Sequence, residues 1–205
     1  MSGSRKKVKI PSGRPKRSSG LQKARNAIKN AINVSVVVDT REKDPWSFDG
    51  EMPSGLHIKK VFVDKLDAGD YTIVGYDLDG DDYGVIIERK NSLVEFIGNI
   101  GKGWERFKSE LEKLSKYRIA AIIIEDDLKD SFARYKSSTG YGKYFNVSPN
   151  FILKRVSEIK SRYGVSTYFM SNKYFAQRLA CNLFKDAILL DRELEEKILG
   201  KHDDK

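Results

Sequence analysis

The chain has little of what extracellular or membrane proteins need. Its 205 residues include one cysteine, Cys181, so an internal disulfide is excluded and a reducing compartment is indicated. We interpret this cysteine as a small buried apolar residue. With only two histidines beside it, the chain also lacks the ligands of a zinc site.

Long apolar segments are missing as well. No apolar run reaches the roughly eighteen residues of a membrane-spanning helix. The first residues are charged and have no apolar segment of the secretory type. We therefore expect an intracellular protein, in the cytoplasm, nucleoid or nucleus, with no membrane partner.

Acidic residues are absent from the first thirty positions, which contain ten Lys or Arg. The remaining chain has 28 basic and 29 acidic residues, so the net charge of +9 belongs to this tail. Its Gly, Ser and Pro content predicts that residues 1–32 are largely disordered, with a short basic helix over 21–32. Such a tail suits phosphate binding by counterion release, and a solubilising or targeting arm is the equal alternative.

After the tail, short β-branched runs alternate with amphipathic segments. The predicted strands are 34–39, 58–63, 71–76, 83–89, 119–124 and 165–170. The predicted helices are 92–100, 104–117, 148–163, 172–184 and 191–199. This order predicts a three-layer α/β domain over residues 33–190 with a mixed central β-sheet, followed by a C-terminal helix and polar end over 191–205.

One predicted strand ends in Glu88-Arg89-Lys90. Side chains alternate along a strand, so Glu88 and Lys90 point to one face and Arg89 to the other. A carboxylate there can hold a divalent cation, and an ammonium group can orient water or offset phosphate charge. The alternative is a solvated surface ion pair of little energetic weight.

Two further acidic residues stand at strand ends. Asp39 closes the strand 34–39, and Asp70 immediately precedes the strand 71–76. With Glu88, they are the minimum set of oxygen ligands for one or two hard cations.

These motifs together resemble the nuclease domain of the XPF-type structure-specific endonucleases. That family has Asp-x-Arg-Glu after its first strand, then Gly-Asp, then Glu-Arg-Lys. The matching residues are Asp39, Arg41, Glu42, Gly69, Asp70, Glu88, Arg89 and Lys90. The family also spaces three residues between its Lys and a further Asp. Here that position is Val94, and the nearest acid is Glu95.

The resemblance implies a restriction-endonuclease-like fold and Mg²⁺- or Mn²⁺-dependent cleavage of branched or forked DNA, in repair or recombination. The implied cation ligands are Asp39, Asp70 and Glu88, with Glu42 as an outer or direct ligand and Lys90 positioning or activating water. The implied supporting residues are Arg41 and Arg89, which would orient these carboxylates or contact phosphate, and Glu95. The family also includes degenerate members that only bind, so a non-catalytic DNA-binding or scaffolding partner is the alternative.

Basic residues beyond this motif are candidate DNA contacts, with a solvated surface or a loop without a role as the alternative. They are Lys102, Arg106 and Lys108 in the helical region, and Arg134, Lys136 and Lys143 in the loop 126–147. Trp46 and Phe48 could stack on a base or fill the core, and we favour the core. No helix-hairpin-helix module is recognisable, so a homodimer or a heteromeric partner is expected to supply a DNA-gripping module.

Overall fold

The computed structural model describes residues 31–49, 55–76, 84–129 and 147–200. Residues 21–30 of the helix predicted over 21–32, and the candidate DNA contacts Arg134, Lys136 and Lys143, lie outside the described residues. The predicted end of that helix is wrong, because Ile32 begins a strand that pairs with Leu56.

A six-stranded mixed sheet forms the middle layer, in the order β2-β1-β3-β4-β5-β6. The strands are β1 (Ile32–Asp39), β2 (Leu56–Asp64), β3 (Tyr71–Ile73), β4 (Val85–Lys90), β5 (Ile119–Ile124) and β6 (Ser166–Phe169). β3 is antiparallel to both of its neighbours, whereas β1 and β2, β4 and β5, and β5 and β6 pair in parallel. The central strands are β-branched and buried on both faces, as expected for strands covered by helices on each side.

Helices cover the two faces of the sheet. They are α1 (Leu93–Ile100), α2 (Trp104–Leu114), α3 (Pro149–Tyr163) and α4 (Lys173–Gly200). One core joins the apolar residues of α1, α2 and α3 to Ile86 and Ile122 of the sheet. The other joins α4 to the opposite face around Ile87 and Ile123. Among these described helices, none is long and apolar enough to span a membrane.

The predicted three-layer α/β architecture with a mixed sheet is therefore confirmed. Trp46 and Phe48 are 1% and 6% exposed within the second core, which confirms the core interpretation. The two helices predicted over 172–184 and 191–199 are wrong as separate elements, because α4 runs unbroken through both. Neither Gly nor Pro interrupts residues 185–190, and Arg118 binds Asp191 at 2.6 Å, which holds the later turns against the sheet.

Candidate active site

Strand register brings the three acidic strand ends together. Val38 pairs with Tyr71, and Tyr71 pairs with Ile87. One residue further along, Asp39 lies opposite Asp70, and the Asp39 N–H donates to the Asp70 carbonyl at 2.8 Å. The same step places Asp70 opposite Glu88. The register therefore places these three residues side by side at the neighbouring ends of β1, β3 and β4.

Gly69 allows the chain to reach β4 just before Asp70. It has φ +65°, and a Cβ on it would lie 2.6 Å from Ile86 Cγ1 and 3.0 Å from the Ile87 carbonyl oxygen. Glycine alone fits this turn without strain. The Asp70 N–H then donates to the Ile87 carbonyl at 2.8 Å, which fixes the carboxylate beside Glu88.

Asp70 and Glu88 are a repelling pair of carboxylates. Burial, and then the charge of Glu88, raises the pKa of Asp70 to about 8, although Asp70 Oδ2 accepts a hydrogen bond from the Arg89 N–H at 2.7 Å. Burial likewise raises the pKa of Glu88 despite the opposing effect of Lys90. The charge of Lys90 lowers the pKa of both carboxylates but does not offset the effect of burial. Like charges placed opposite each other on a sheet are unfavourable unless a cation joins them.

Lys90 is the cation that the fold itself supplies. Its Nζ lies 2.5 Å from Glu88 Oε1 and 3.6 Å from Glu95 Oε1, on the shared face that strand alternation predicts. Burial alone would lower the pKa of Lys90, but the charge and hydrogen bond of Glu88 raise it. Lys90 is therefore an ammonium group that donates to Glu88. Its positioning or activation of water stays a prediction.

Asp39 is held by protein donors. Its Oδ1 accepts from the Arg41 N–H at 2.7 Å and Nε at 2.6 Å, and its Oδ2 from the Leu66 N–H at 2.7 Å and Arg41 Nη2 at 3.1 Å. Burial alone would raise the pKa of Asp39, but these bonds lower it. Each oxygen already accepts two hydrogen bonds, which uses its lone pairs. The structure thus does not present Asp39 to the cavity, and its cation binding stays a prediction that requires Arg41 to release it.

Arg89 extends to the opposite face of β4, as predicted, and is 4% exposed. There its guanidinium lies 3.2 Å from Glu42 Oε1 and binds both carboxylate oxygens of Glu125 at 2.8 and 2.9 Å. Glu42 Oε1 also accepts the Asp44 N–H at 2.9 Å, so Arg89 and Asp44 together hold this carboxylate. The roles expected for Arg89 at the site stay predictions. The sequence reasoning missed Glu125. Its position directly after the buried strand β5, beside the end of the parallel strand β4, is the signal that would have found it.

These side chains surround an open cavity of about 280 Å³. It is lined by Arg41, Glu42, Lys43, Asp70, Glu88, Arg89, Lys90, Asn91 and Glu95. The cavity unites seven of the eight predicted catalytic and supporting residues and excludes Asp39. Its acidic floor and lysine suit a site for a cation and a phosphate group.

Glu95 reaches the site through a capping box. The Ser92 hydroxyl accepts a hydrogen bond from the Glu95 N–H at 3.2 Å, while Glu95 Oε2 accepts one from the Asn91 N–H at 3.1 Å. This arrangement fixes the first turn of α1 and leaves Glu95 Oε1 near Lys90. Glu95 thus lies one residue later than the family pattern and still contacts Lys90.

A second, wider cavity of about 680 Å³ adjoins the first, and Glu95 lines both. Lys102 and Arg106 line this second cavity at the turn between α1 and α2. Lys108 instead pairs with Glu105 at 2.7 Å. Of the candidate DNA contacts that the structure describes, Lys102 and Arg106 therefore lie beside the site, whereas Lys108 forms an ion pair with Glu105.

The carboxylates of this cavity suit a magnesium ion that is held partly by water and substrate oxygens, rather than one enclosed by protein ligands alone. Within the described ranges, no three His, Cys, Asp or Glu residues converge as a ready-made metal site. Mg²⁺ is usually held by one or two carboxylates together with waters and substrate phosphate oxygens. No described donor binds Asp70 Oδ1 or Glu88 Oε2, so each carboxylate keeps one oxygen for such a ligand role.

We compared the chain with models of protein families and with solved structures of other proteins. A model of the ERCC4 domain matches residues 38–183. The structure of XPF from Aeropyrum pernix is similar with a TM-score of 0.50 and 20% identity, over 82% of this chain and 73% of that one. XPF from the same organism in complex with DNA gives a TM-score of 0.48 and 21% identity, over 78% of this chain and 66% of that one. No curated protein matches. The first likeness confirms the predicted restriction-endonuclease-like fold.

Proposed function

The chain belongs to the ERCC4 domain family, and from that premise we propose that it is a divalent-cation-dependent DNA endonuclease. One observation carries the proposal. Asp70 and Glu88 form a repelling carboxylate pair beside the Lys90 ammonium group, at the floor of an open cavity. A structural ion pair would not need the second carboxylate, whereas a site that binds Mg²⁺ or Mn²⁺ does.

The two carboxylates would hold the cation, with Glu42 adding negative charge at the cavity edge. A bound cation of this kind polarises the scissile phosphate and lowers the pKa of the attacking water. Lys90 keeps Glu88 oriented through its 2.5 Å contact and offers its remaining N–H donors to water or to a phosphate oxygen. Asp39 fixes Arg41, whose exposed side chain stands at the entrance.

The substrate proposed here is DNA, in branched or forked form by resemblance to the family. Lys102 and Arg106 extend a basic edge from the catalytic cavity, which suits contact with phosphates that flank the scissile one. The basic first thirty residues would add sequence-independent affinity. A second subunit or another protein would supply any further DNA-gripping module.

The test is cleavage of forked, nicked and linear DNA of identical sequence, with Mg²⁺ or Mn²⁺ and with EDTA. We expect cation-dependent cleavage that is faster on the fork, and its loss in Glu88→Gln while DNA binding persists. Glu158→Gln, an equal change in an ion pair on α3, is the control. Binding of forked DNA without cleavage at any cation concentration would instead establish a non-catalytic DNA-binding partner.

A further inference from the structure

Glu125 joins three elements at the back of the proposed site. Its N–H donates to the Lys90 carbonyl at 2.8 Å, which continues the parallel pairing of β4 and β5. Its carboxylate accepts Arg89 Nε at 2.8 Å and Nη2 at 2.9 Å, and it also accepts the indole N–H of Trp46. A bidentate arginine–carboxylate pair fixes both position and orientation.

The other side of the Arg89 guanidinium binds the segment that follows β1. Nη1 donates to the Asp44 carbonyl at 2.6 Å and lies 3.2 Å from Glu42 Oε1. Nη2 lies 3.5 Å from the Asp44 carboxylate, which also binds Lys173 at 3.0 Å. Arg89 therefore links Glu125 to the segment that carries Glu42, and the Trp46 indole N–H is a second link to the same segment.

Carboxylates compete for this one guanidinium. The side chains of Arg89, Glu125 and Glu42 are 4%, 8% and 13% exposed, so water screens their charges weakly. Glu125 takes two N–H donors of the guanidinium at short range, whereas Glu42 has one contact with it, at 3.2 Å. Glu42 Oε1 also accepts the Asp44 N–H at 2.9 Å, and Glu42 lines the cavity. Without the charge of Glu125, Arg89 would gain most by forming its bidentate pair with Glu42.

Resting on the proposed function, we infer that Glu125 is a positioning residue of the nuclease site. By binding Arg89, it keeps Glu42 and its negative charge directed toward Asp70 and Glu88. It contacts neither DNA nor cation itself.

The first test is the structure of Glu125→Gln. Glutamine has nearly the same shape but no charge, and its NH₂ group replaces one of the two oxygens that accept the arginine donors. We expect both carboxylate oxygens of Glu42 to bind Arg89 in this variant. The Glu42 side chain would then no longer line the cavity. Glu42 in its original position would overturn the inference. This structure can be determined whether or not the protein cleaves DNA, so its result tests the inference independently of the proposed function.

The second test measures cleavage. Replacing an outer partner of a metal ligand typically costs 10- to 100-fold. We expect turnover at saturating DNA to fall at least tenfold in Glu125→Gln, with the cation concentration for half-maximal rate raised and DNA affinity within twofold. In a Glu42→Gln background the same change should cost less than twofold, because its target is gone. Equal losses in both backgrounds would show a general effect on folding and refute positioning.

Two variants separate this effect from stability. Glu158→Gln removes the charge from another half-buried arginine pair, with Arg155 at 2.7 Å, and should leave cleavage unchanged. Glu125→Asp keeps the charge on a shorter side chain. It should therefore fold even if Glu125→Gln does not, and its cleavage rate should fall less than that of Glu125→Gln. A Glu125→Asp enzyme weaker than Glu125→Gln would contradict the role of the charge. Absence of cleavage in the parent protein would refute the proposed nuclease function alone.

Discussion

Asp70→Asn is expected to stabilise the cation-free protein in a pH-dependent way. The folded pKa of Asp70 is raised from 3.8 to about 8 by burial and by Glu88. Between those two values the folded protein binds more protons than the unfolded chain, so this group makes stability fall as pH rises. Asparagine carries no charge and its oxygen can still accept the Arg89 N–H, so the variant avoids that loss.

The magnitude follows from the same pKa. At 1.36 kcal/mol per pH unit, the interval from 3.8 to about 8 corresponds to roughly 6 kcal/mol as an upper limit. The side chain is only half-buried beside an open cavity, and water there screens its charge. We therefore expect about 2–3 kcal/mol at pH 8, which raises Tm by roughly 4–12 °C in a domain of this size.

The assay is thermal unfolding of parent and variant at pH 4, 6 and 8, with EDTA and with millimolar Mg²⁺. The Tm of the variant should be close to that of the parent at pH 4, and should exceed it most at pH 8. Mg²⁺ should stabilise the parent and not the variant, because binding to the folded state alone raises stability. Asp67→Asn, an exposed residue of the same turn, is the control. Stabilisation that is equal at pH 4 and pH 8 would refute the electrostatic reasoning.

Four other changes test the site and the tail. Lys90→Arg keeps the charge but not the compact donor, so cleavage should fall at least tenfold, and near-normal turnover would show that charge alone matters. Asp39→Asn should cost about 2 kcal/mol in denaturant unfolding at pH 7 and progressively less as the pH falls below 3.8, because the stability from its lowered pKa is lost there; a pH-independent loss would contradict this. Gly69→Ala should cost about 2–4 kcal/mol, since φ +65° and Ile86 Cγ1 at 2.6 Å oppose a side chain; an unchanged unfolding midpoint would disprove the need for glycine. Deleting residues 1–30 should weaken DNA binding and flatten log K against log salt by about 0.9 per lost phosphate contact, whereas equal slopes would assign the tail another task.

Local periodicity determined most of the fold. Strict alternation places Glu88 and Lys90 on one face and Arg89 on the other, and the structure has them so. Ser148 followed by Pro149 predicts the start of α3, which begins at Pro149 with Ser148 as its cap. These features depend on neighbours in sequence, so they are readable without the fold. The end of α4 was not readable, because contacts with Arg118, far away in sequence, extend that helix past residue 190.

The sequence determined that acidic residues stand at three strand ends. Only the tertiary structure decided which of those ends meet and how each carboxylate is used. Asp39 stands at one of these ends, but the Leu66 N–H, 27 residues later, and Arg41 occupy both of its oxygens. Glu125 lies 36 residues from Arg89 and binds it all the same. The role of a carboxylate depends on the hydrogen-bond donors that surround it in space, and sequence spacing does not specify those donors. The strands are therefore fixed by local pattern, whereas the charge partners of the site are fixed by the packing that brings distant segments together.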